Sequence, residues 1–232
     1  MKMYRKMLKE IRNYVPTTPL EGEDQKLILD YIKTYGKKAY NRKSLAAHMT
    51  ASAIVVNQTH DKVLFAYHLI YQSYGWLGGH ADGEFDLESI AKREIMEESG
   101  ISEVNLLYPN IASLEVICVG HHIKQGTIIS DHLHLNVSYL FEADEKLPIS
   151  IKEDENSSIA WIPITQIDKV VTEERMIEIY QKILKGGFPE LYSNKNVEPK
   201  DFFETYIRTY IERDIRELIN VKDEIKFLKF IS

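Results

Sequence analysis

Chemistry in this 232-residue chain is concentrated in Arg93-Glu94-Ile95-Met96-Glu97-Glu98-Ser99-Gly100-Ile101. Glu94, Glu97 and Glu98 stand at i, i+3 and i+4, so a helix would gather them within an arc of about 100°. Three carboxylates so placed repel one another and weaken an isolated helix. A hard divalent cation such as Mg²⁺ or Mn²⁺ turns that repulsion into coordination, because such ions prefer oxygen ligands. An acidic stripe on a surface helix usually faces solvent. Here, however, it runs beside the apolar ridge Leu87, Ala91, Ile95 instead of opposite it, and a surface helix normally keeps its acids away from the core side.

The elements around the stretch are those needed to hold it. A glycine-rich loop, Trp76-Leu77-Gly78-Gly79-His80-Ala81-Asp82-Gly83-Glu84, leads into the helical pattern at 87–99, and Gly100 ends that pattern as a C′ glycine. Before the loop, 50–56 and 62–70 read as strands joined by a turn at 57–61. After it, strands are expected at 112–121, 132–141 and 159–163, and a helix at 172–184. Helical patterns also open the chain at 4–14 and 21–35, the second with a stripe of Leu27, Leu29, Tyr31 and Ile32 and a stop at Gly36.

Taken together, loop and helix resemble the box of the Nudix hydrolase family: Gly-x5-Glu-x7-Arg-Glu-aliphatic-x-Glu-Glu-x-Gly-aliphatic. Gly79 and Arg93 have the right separation, and every position from Arg93 to Ile101 agrees. One position departs: the first glutamate of the box falls on Phe85, flanked by Glu84 and Asp86. In the family that glutamate pairs with the box arginine, so the departure bears on helix orientation, and Glu84 or Asp86 is expected to replace it. The Gly-Gly-His-Ala-Asp-Gly form resembles a variant subgroup, as does His48-Met49-Thr50-Ala51-Ser52-Ala53 as its opening strand. Trp161-Ile162-Pro163 resembles a late strand of the fold.

The resemblance implies an α/β fold, an α/β/α sandwich around a mixed sheet, over residues 41–185, with 1–40 as an N-terminal helical segment packed on it and 186–232 as a helical tail. It implies Glu94, Glu97, Glu98 and the Gly79 carbonyl as ligands of Mg²⁺ or Mn²⁺, with Arg93 orienting a glutamate. The reaction implied is attack of water on a phosphorus of a nucleoside diphosphate derivative, a small molecule. Its general base is expected among Glu94, Glu98, Glu153 and Glu155.

Several residues stand outside the box. His132-Leu133-His134 puts two imidazoles on one strand face, read either as contacts to substrate phosphate or an auxiliary metal, or as a polar strand face. His121 and His122 lie nearby, and His80 sits where it could approach the diphosphate or stabilise its turn. Tyr67, Tyr71 and Tyr74 are a candidate base-stacking wall, Tyr67 being the one taken as a binding residue. Cys118, the only cysteine, excludes an internal disulfide and a Cys-based zinc site. It lies in a strand apart from the box in sequence, which weighs against an isomerase of isopentenyl-diphosphate type. That alternative needs a catalytic cysteine and its own metal-binding set. A non-catalytic nucleotide-sensing module is the other alternative, and it has no need of three intact glutamates.

Composition narrows the partners. A net charge of −6 disfavours a broad phosphate-backbone footprint, so no long nucleic acid is expected. No apolar run spans a bilayer and the first 14 residues lack an apolar signal core, giving a cytoplasmic protein as the expectation. From Lys185 the breaker cluster Gly186-Gly187-Phe188-Pro189 and the polar run 193–199 mark a module boundary. The tail resembles a middle segment of an AAA-type ATPase family but has no Gly-x-x-x-x-Gly-Lys-Ser/Thr phosphate loop. Its amphipathic pattern suggests packing on the hydrolase domain or on a second copy, as in a homodimer.

Overall fold

The computed structural model describes residues 2–107, 109–124, 126–151 and 156–184, and all but Leu184 belong to one compact unit, Met1–Ile183. In chain order the elements are α1 (Lys2–Asn13), α2 (Pro19–Tyr35), a 3-10 turn (Gly36–Tyr40), β1 (Ala47–Asn57), β2 (Lys62–His68), β3 (Ser73–Gly75), β4 (Leu77–His80) and α3 (Leu87–Ser99). They continue as β5 (Asn105–Leu106), β6 (Ser113–Val119), β7 (His122–Lys124), β8 (Thr127–Ile129), β9 (His132–Ala143), β10 (Asn156–Pro163), α4 (Ile167–Val170) and α5 (Glu174–Leu184). The expectations for 186–232, and for Glu153 and Glu155, lie outside the described residues.

The main sheet runs β10-β2-β1-β9-β5, with β3 paired to β2, β4 to β1 and β6 to β9. β1 and β9 are parallel and in register from Ala47↔Leu133 to Asn57↔Ala143, while every other pairing is antiparallel, so the sheet is mixed. Alternation along β1 explains how it serves two layers. Met49, Ala51, Ala53 and Val55 enter the core with Leu87, Ile90, Ala91 and Ile95 of α3, and each fully buried isoleucine there contributes about 1.5–3 kcal/mol. On the opposite face Phe65 of β2 meets Tyr180 of α5 with ring centroids 4.6 Å apart. The result is an α/β/α sandwich around a mixed sheet.

Local chemistry sets the boundaries of the helices. Thr18 caps α2, its hydroxyl accepting from the Glu21 N–H, with Pro19 opening the first turn. Asp86 caps α3 through the Ser89 N–H, and Gly100 closes it at φ 76° with its N–H on the Met96 carbonyl.

The apolar stripe expected for α2 holds at Ile32, which is buried, and at Leu29 and Tyr31, which pack partly buried against the core, but not at Leu27. Leu27 is exposed, and the buried residues are Glu21, Asp24, Ile28 and Ile32. The cause is the sheet edge. Among the described residues β6 pairs with β9 alone, and its outward N–H groups at Leu114 and Val116 donate to Glu21 Oε1 (3.3 Å) and Asp24 Oδ2 (3.1 Å). Those carboxylates are held in turn by Lys182 Nζ, 2.6 Å from Glu21 Oε1, and by Arg175, 3.1 Å from Asp24 Oδ2. Pairing with a cation and an N–H offsets the cost of burying each carboxylate.

Candidate functional site

The helix that carries the three glutamates points two of them at the Gly78-Gly79 stretch of a strand, where no side chain stands in the way. Gly78 and Gly79, expected in a loop, lie on β4, paired to Ser52 and Ala51 of β1. A β-carbon on Gly78 would stand 2.7 Å from the Ala51 carbonyl oxygen, and one on Gly79 would stand 2.1 Å from Glu94 Oε1. Only glycine lets β4 close on β1 while the α3 carboxylates approach from the other side. Glu98 is buried and its Oε1 accepts from the Gly78 N–H at 3.0 Å. Glu97, one residue earlier, is exposed. Carboxylates beside a backbone with no side chain in the way form an all-oxygen donor set, which suits a hard divalent cation.

Arg93 is fixed by two of its neighbours. Its Nη2 is 2.8 Å from Glu84 Oε1 and its Nε is 3.8 Å from Glu97 Oε1. Glu84 therefore stands in for the missing first glutamate of the box, and Asp86 is committed to the helix cap. Phe85 is turned the other way, edge-on to Tyr4 (5.3 Å) and Tyr40 (5.0 Å), where it ties the loop to α1 and the 3-10 turn.

Beside Gly78 and Gly79 opens a small cleft of about 180 Å³ whose mouth is open to solvent. Tyr71, Tyr74 and Trp76 give it an aromatic wall; Thr50, Ser52 and Asn136 line its polar part. Asn136 Oδ1 accepts from both Thr50 and Ser52 at 2.9 Å, and its Nδ2 donates to Glu115 Oε2 and Ser138 Oγ, which locks this part of the lining. Tyr67 is not among the lining residues. It packs edge-on behind Tyr74, with centroids 5.3 Å apart, so the wall consists of Tyr71 and Tyr74 without it.

Across the cleft from the aromatic wall the strands present histidines. His134 of β9 is the register partner of His48 on β1, and His80 of β4 is the partner of Thr50, two residues further along the same face of β1. The His48, His80 and His134 rings form a near-equilateral triangle with centroids 5.0–5.2 Å apart. His132 stacks on His48 at 5.1 Å and its Nε2 lies 3.2 Å from Nε2 of His134. Burial, together with repulsion from His80, His48, His132 and His122, pushes His134 down to about 2. Burial also lowers His48. Both are therefore neutral at physiological pH.

The sequence reading took His80, His132 and His134 as candidates and quoted His48 only as part of a strand motif. The signal that would have found it is period-two alternation, which puts His48, Thr50 and Ser52 on one face. His121 is exposed and pairs with Asp131 at 3.4 Å, away from this group. Cys118 needs a correction. Its place within β6 does not remove it from the box, because it lines the same cleft as Gly79 and His80.

Comparison with known proteins bears on all of this. The NUDIX domain model matches residues 47–183, and a Domain of unknown function (DUF8612) matches residues 176–232. The latter names no activity and lends no support to an ATPase likeness for the tail. No curated protein matches the chain. Among solved structures, a NUDIX family hydrolase from Clostridium perfringens is 19% identical with a TM-score of 0.42, over 59% of this chain and 95% of that one. A C. elegans Ap4A hydrolase is 14% identical with a TM-score of 0.45, over 63% and 98%. The NUDIX domain of Shewanella oneidensis NrtR, solved with ADP ribose, is 18% identical with a TM-score of 0.42, over 65% and 92%.

Proposed function

Because the chain belongs to the NUDIX domain family and is accordingly a hydrolase of pyrophosphate linkages, we propose that it cleaves the diphosphate of a nucleoside diphosphate derivative, with Mg²⁺ or Mn²⁺, in the cleft beside Gly78 and Gly79. The observation that carries this reading is the approach of Glu94 and Glu98 to the Gly78-Gly79 backbone, which lines an aromatic-walled cleft.

Glu94, Glu97, Glu98 and the Gly79 carbonyl would hold the cation. Once bound, it supplies charge that polarises phosphoryl oxygens and lowers the pKa of the attacking water. Every other part of the task falls to the protein. Glu84 and Glu97 hold the Arg93 guanidinium and with it the orientation of the acidic helix face. Proton abstraction is assigned to the Glu94 and Glu98 pair on this helix face, Glu94 Oε1 standing against cleft-lining Gly79. Tyr71, Tyr74 and Trp76 offer faces on which a base can stack. His80 and His134 border the space a diphosphate would fill, with His132 behind His134.

The test is phosphate release from a panel of nucleoside diphosphate derivatives with Mg²⁺ or Mn²⁺, comparing the parent chain with Glu97→Gln and Glu98→Gln. Metal-dependent turnover lost in both variants is the expected result. Turnover that survives both substitutions, or a folded chain that turns over no member of the panel, would overturn the reading.

A further inference from the structure

Oxygen donors dominate the box, yet the cluster across the cleft is made of nitrogen. Ring nitrogens of His48, His80 and His134 all lie within 4.8 Å of one another. They come from three neighbouring strands, β1, β4 and β9, so their backbones are fixed by sheet pairing and only the rings need turn. Tetrahedral coordination with metal–nitrogen bonds of about 2.0–2.1 Å sets ligand nitrogens about 3.3 Å apart, a closure of no more than about 1.5 Å from the observed spacing.

The protonation pattern points the same way. His48 is 4% exposed, and its Nδ1 donates to the Ser44 carbonyl at 3.1 Å. That contact leaves the lone pair on Nε2, a buried atom with no hydrogen-bond partner. An orphaned acceptor beside two other imidazoles is costly unless something electrophilic completes it. An imidazole held by a backbone carbonyl through its far nitrogen is also how metal-ligating histidines are oriented. His132 repeats the arrangement one step out. Its Nδ1 donates to the Ser130 carbonyl at 2.8 Å, and its Nε2 faces His134 Nε2 at 3.2 Å, which orients that ring in turn.

We propose that His48, His80 and His134 form a second metal site, for a zinc-class transition-metal ion, separate from the glutamate site. Three imidazoles without a carboxylate favour Zn²⁺, Co²⁺, Ni²⁺ or Cu²⁺ over Mg²⁺. Three protein ligands leave a coordination position open, and His80 and His134 both line the cleft, so the open position is available to an anionic ligand bound there. His132 acts as a positioning residue through His134.

Co²⁺ titration of the full chain tests this, read by its visible absorption, which distinguishes tetrahedral nitrogen ligation from six-coordinate oxygen ligation. One equivalent of Co²⁺ with the tetrahedral spectrum is expected, displaced by Zn²⁺ and not by millimolar Mg²⁺. His80→Gln and His134→Gln should each weaken binding at least tenfold, and His132→Gln by about 10–100-fold. Glu97→Gln should leave the spectrum unchanged, which separates this site from the proposed hydrolytic one. His80 and His134 are part-buried whereas His48 is buried, so their variants remain informative where a His48 variant fails to fold. A tetrahedral signal that survives both His80→Gln and His134→Gln, or the absence of any such signal in the folded parent chain, overturns the proposal.

Discussion

Glu94 Oε1 stands so close to Gly79 that a β-carbon on the glycine would lie 2.1 Å from it. The contact links the acidic helix to the cleft, and any side chain at position 79 would have to push the Glu94 carboxylate aside. Gly79→Ala must therefore displace Glu94 or separate β4 from β1. We expect kcat/KM on whatever diphosphate the chain hydrolyses to fall by about a hundredfold or more, since displacement of a catalytic group by about an ångström has that effect. The melting temperature checks that the loss is local. A variant that keeps parental activity would detach Glu94 from the reaction.

The exchange of roles at 84 and 85 gives a paired prediction. Glu84→Ala removes a partner 2.8 Å from Arg93 at an exposed site, so stability should change little. Activity should fall about tenfold, as expected when the support of a functional residue is lost. Phe85→Ala should do the reverse, costing roughly 2–3 kcal/mol for a partly buried ring packed on Tyr4 and Tyr40, as read by chemical denaturation. Equal effects of the two substitutions on stability would refute this division.

How far the site was legible follows from these same residues. Glu94, Glu97, Glu98 and Gly100 obey local rules, helical spacing and a left-handed cap, so α3 stands at 87–99 as its pattern predicts. The replacement of Phe85 by Glu84 was open between two neighbours, because deciding it requires knowing that Tyr4 and Tyr40 converge there from far along the chain. β4 was hidden because Gly78 and Gly79 have no strand propensity, and a close backbone approach alone makes them a strand. His48 was hidden because its partners lie on strands whose register the sequence does not state. The burial of Glu21 and Asp24 on α2 was hidden for a related reason: they turn inward because the β6 edge, Lys182 and Arg175 meet them.

Cys118 lines the same cleft as Gly79 and His80, which makes it a means of separating two reactions on one fold. A hydrolase that relies on carboxylates has no use for its thiol. Cys118→Ser should thus leave turnover within about twofold of the parent, the change being small and exposed. Loss of activity to background would instead assign the thiol a chemical step and favour the isomerase reading.

Lys182 holds the far end of the polar network beneath the cleft. Its Nζ is 2.6 Å from Glu21 Oε1 and 3.7 Å from Glu115 Oε1, and all three residues are buried. Lys182→Met leaves two carboxylates without their cation, a change that costs about 3–5 kcal/mol when one partner of a buried pair is removed. Adding Glu21→Gln should recover part of the loss by removing one of the stranded charges. Denaturant melts of the single and double variants measure both effects, and a double variant that equals the sum of the two single losses would deny the coupling.

The same network predicts how stability depends on acid. Burial raises the Glu21 carboxyl, but Lys182, with the hydrogen bonds from Lys182, Tyr14 and Thr17, overcomes that and holds it at about 2 against an ordinary 4.5. Below pH 4.5 the unfolded chain takes up a proton that the folded chain refuses, so the contribution is full above 4.5 and is lost as pH falls towards 2. Glu115 and Asp24, whose carboxyls burial pushes up, act in the opposite sense, so the Glu21 contribution must be read as a difference. Unfolding free energy measured from pH 7 to 3 should show the parent losing its advantage over Glu21→Gln as pH drops below 4.5, and a constant difference across that range would exclude a depressed Glu21.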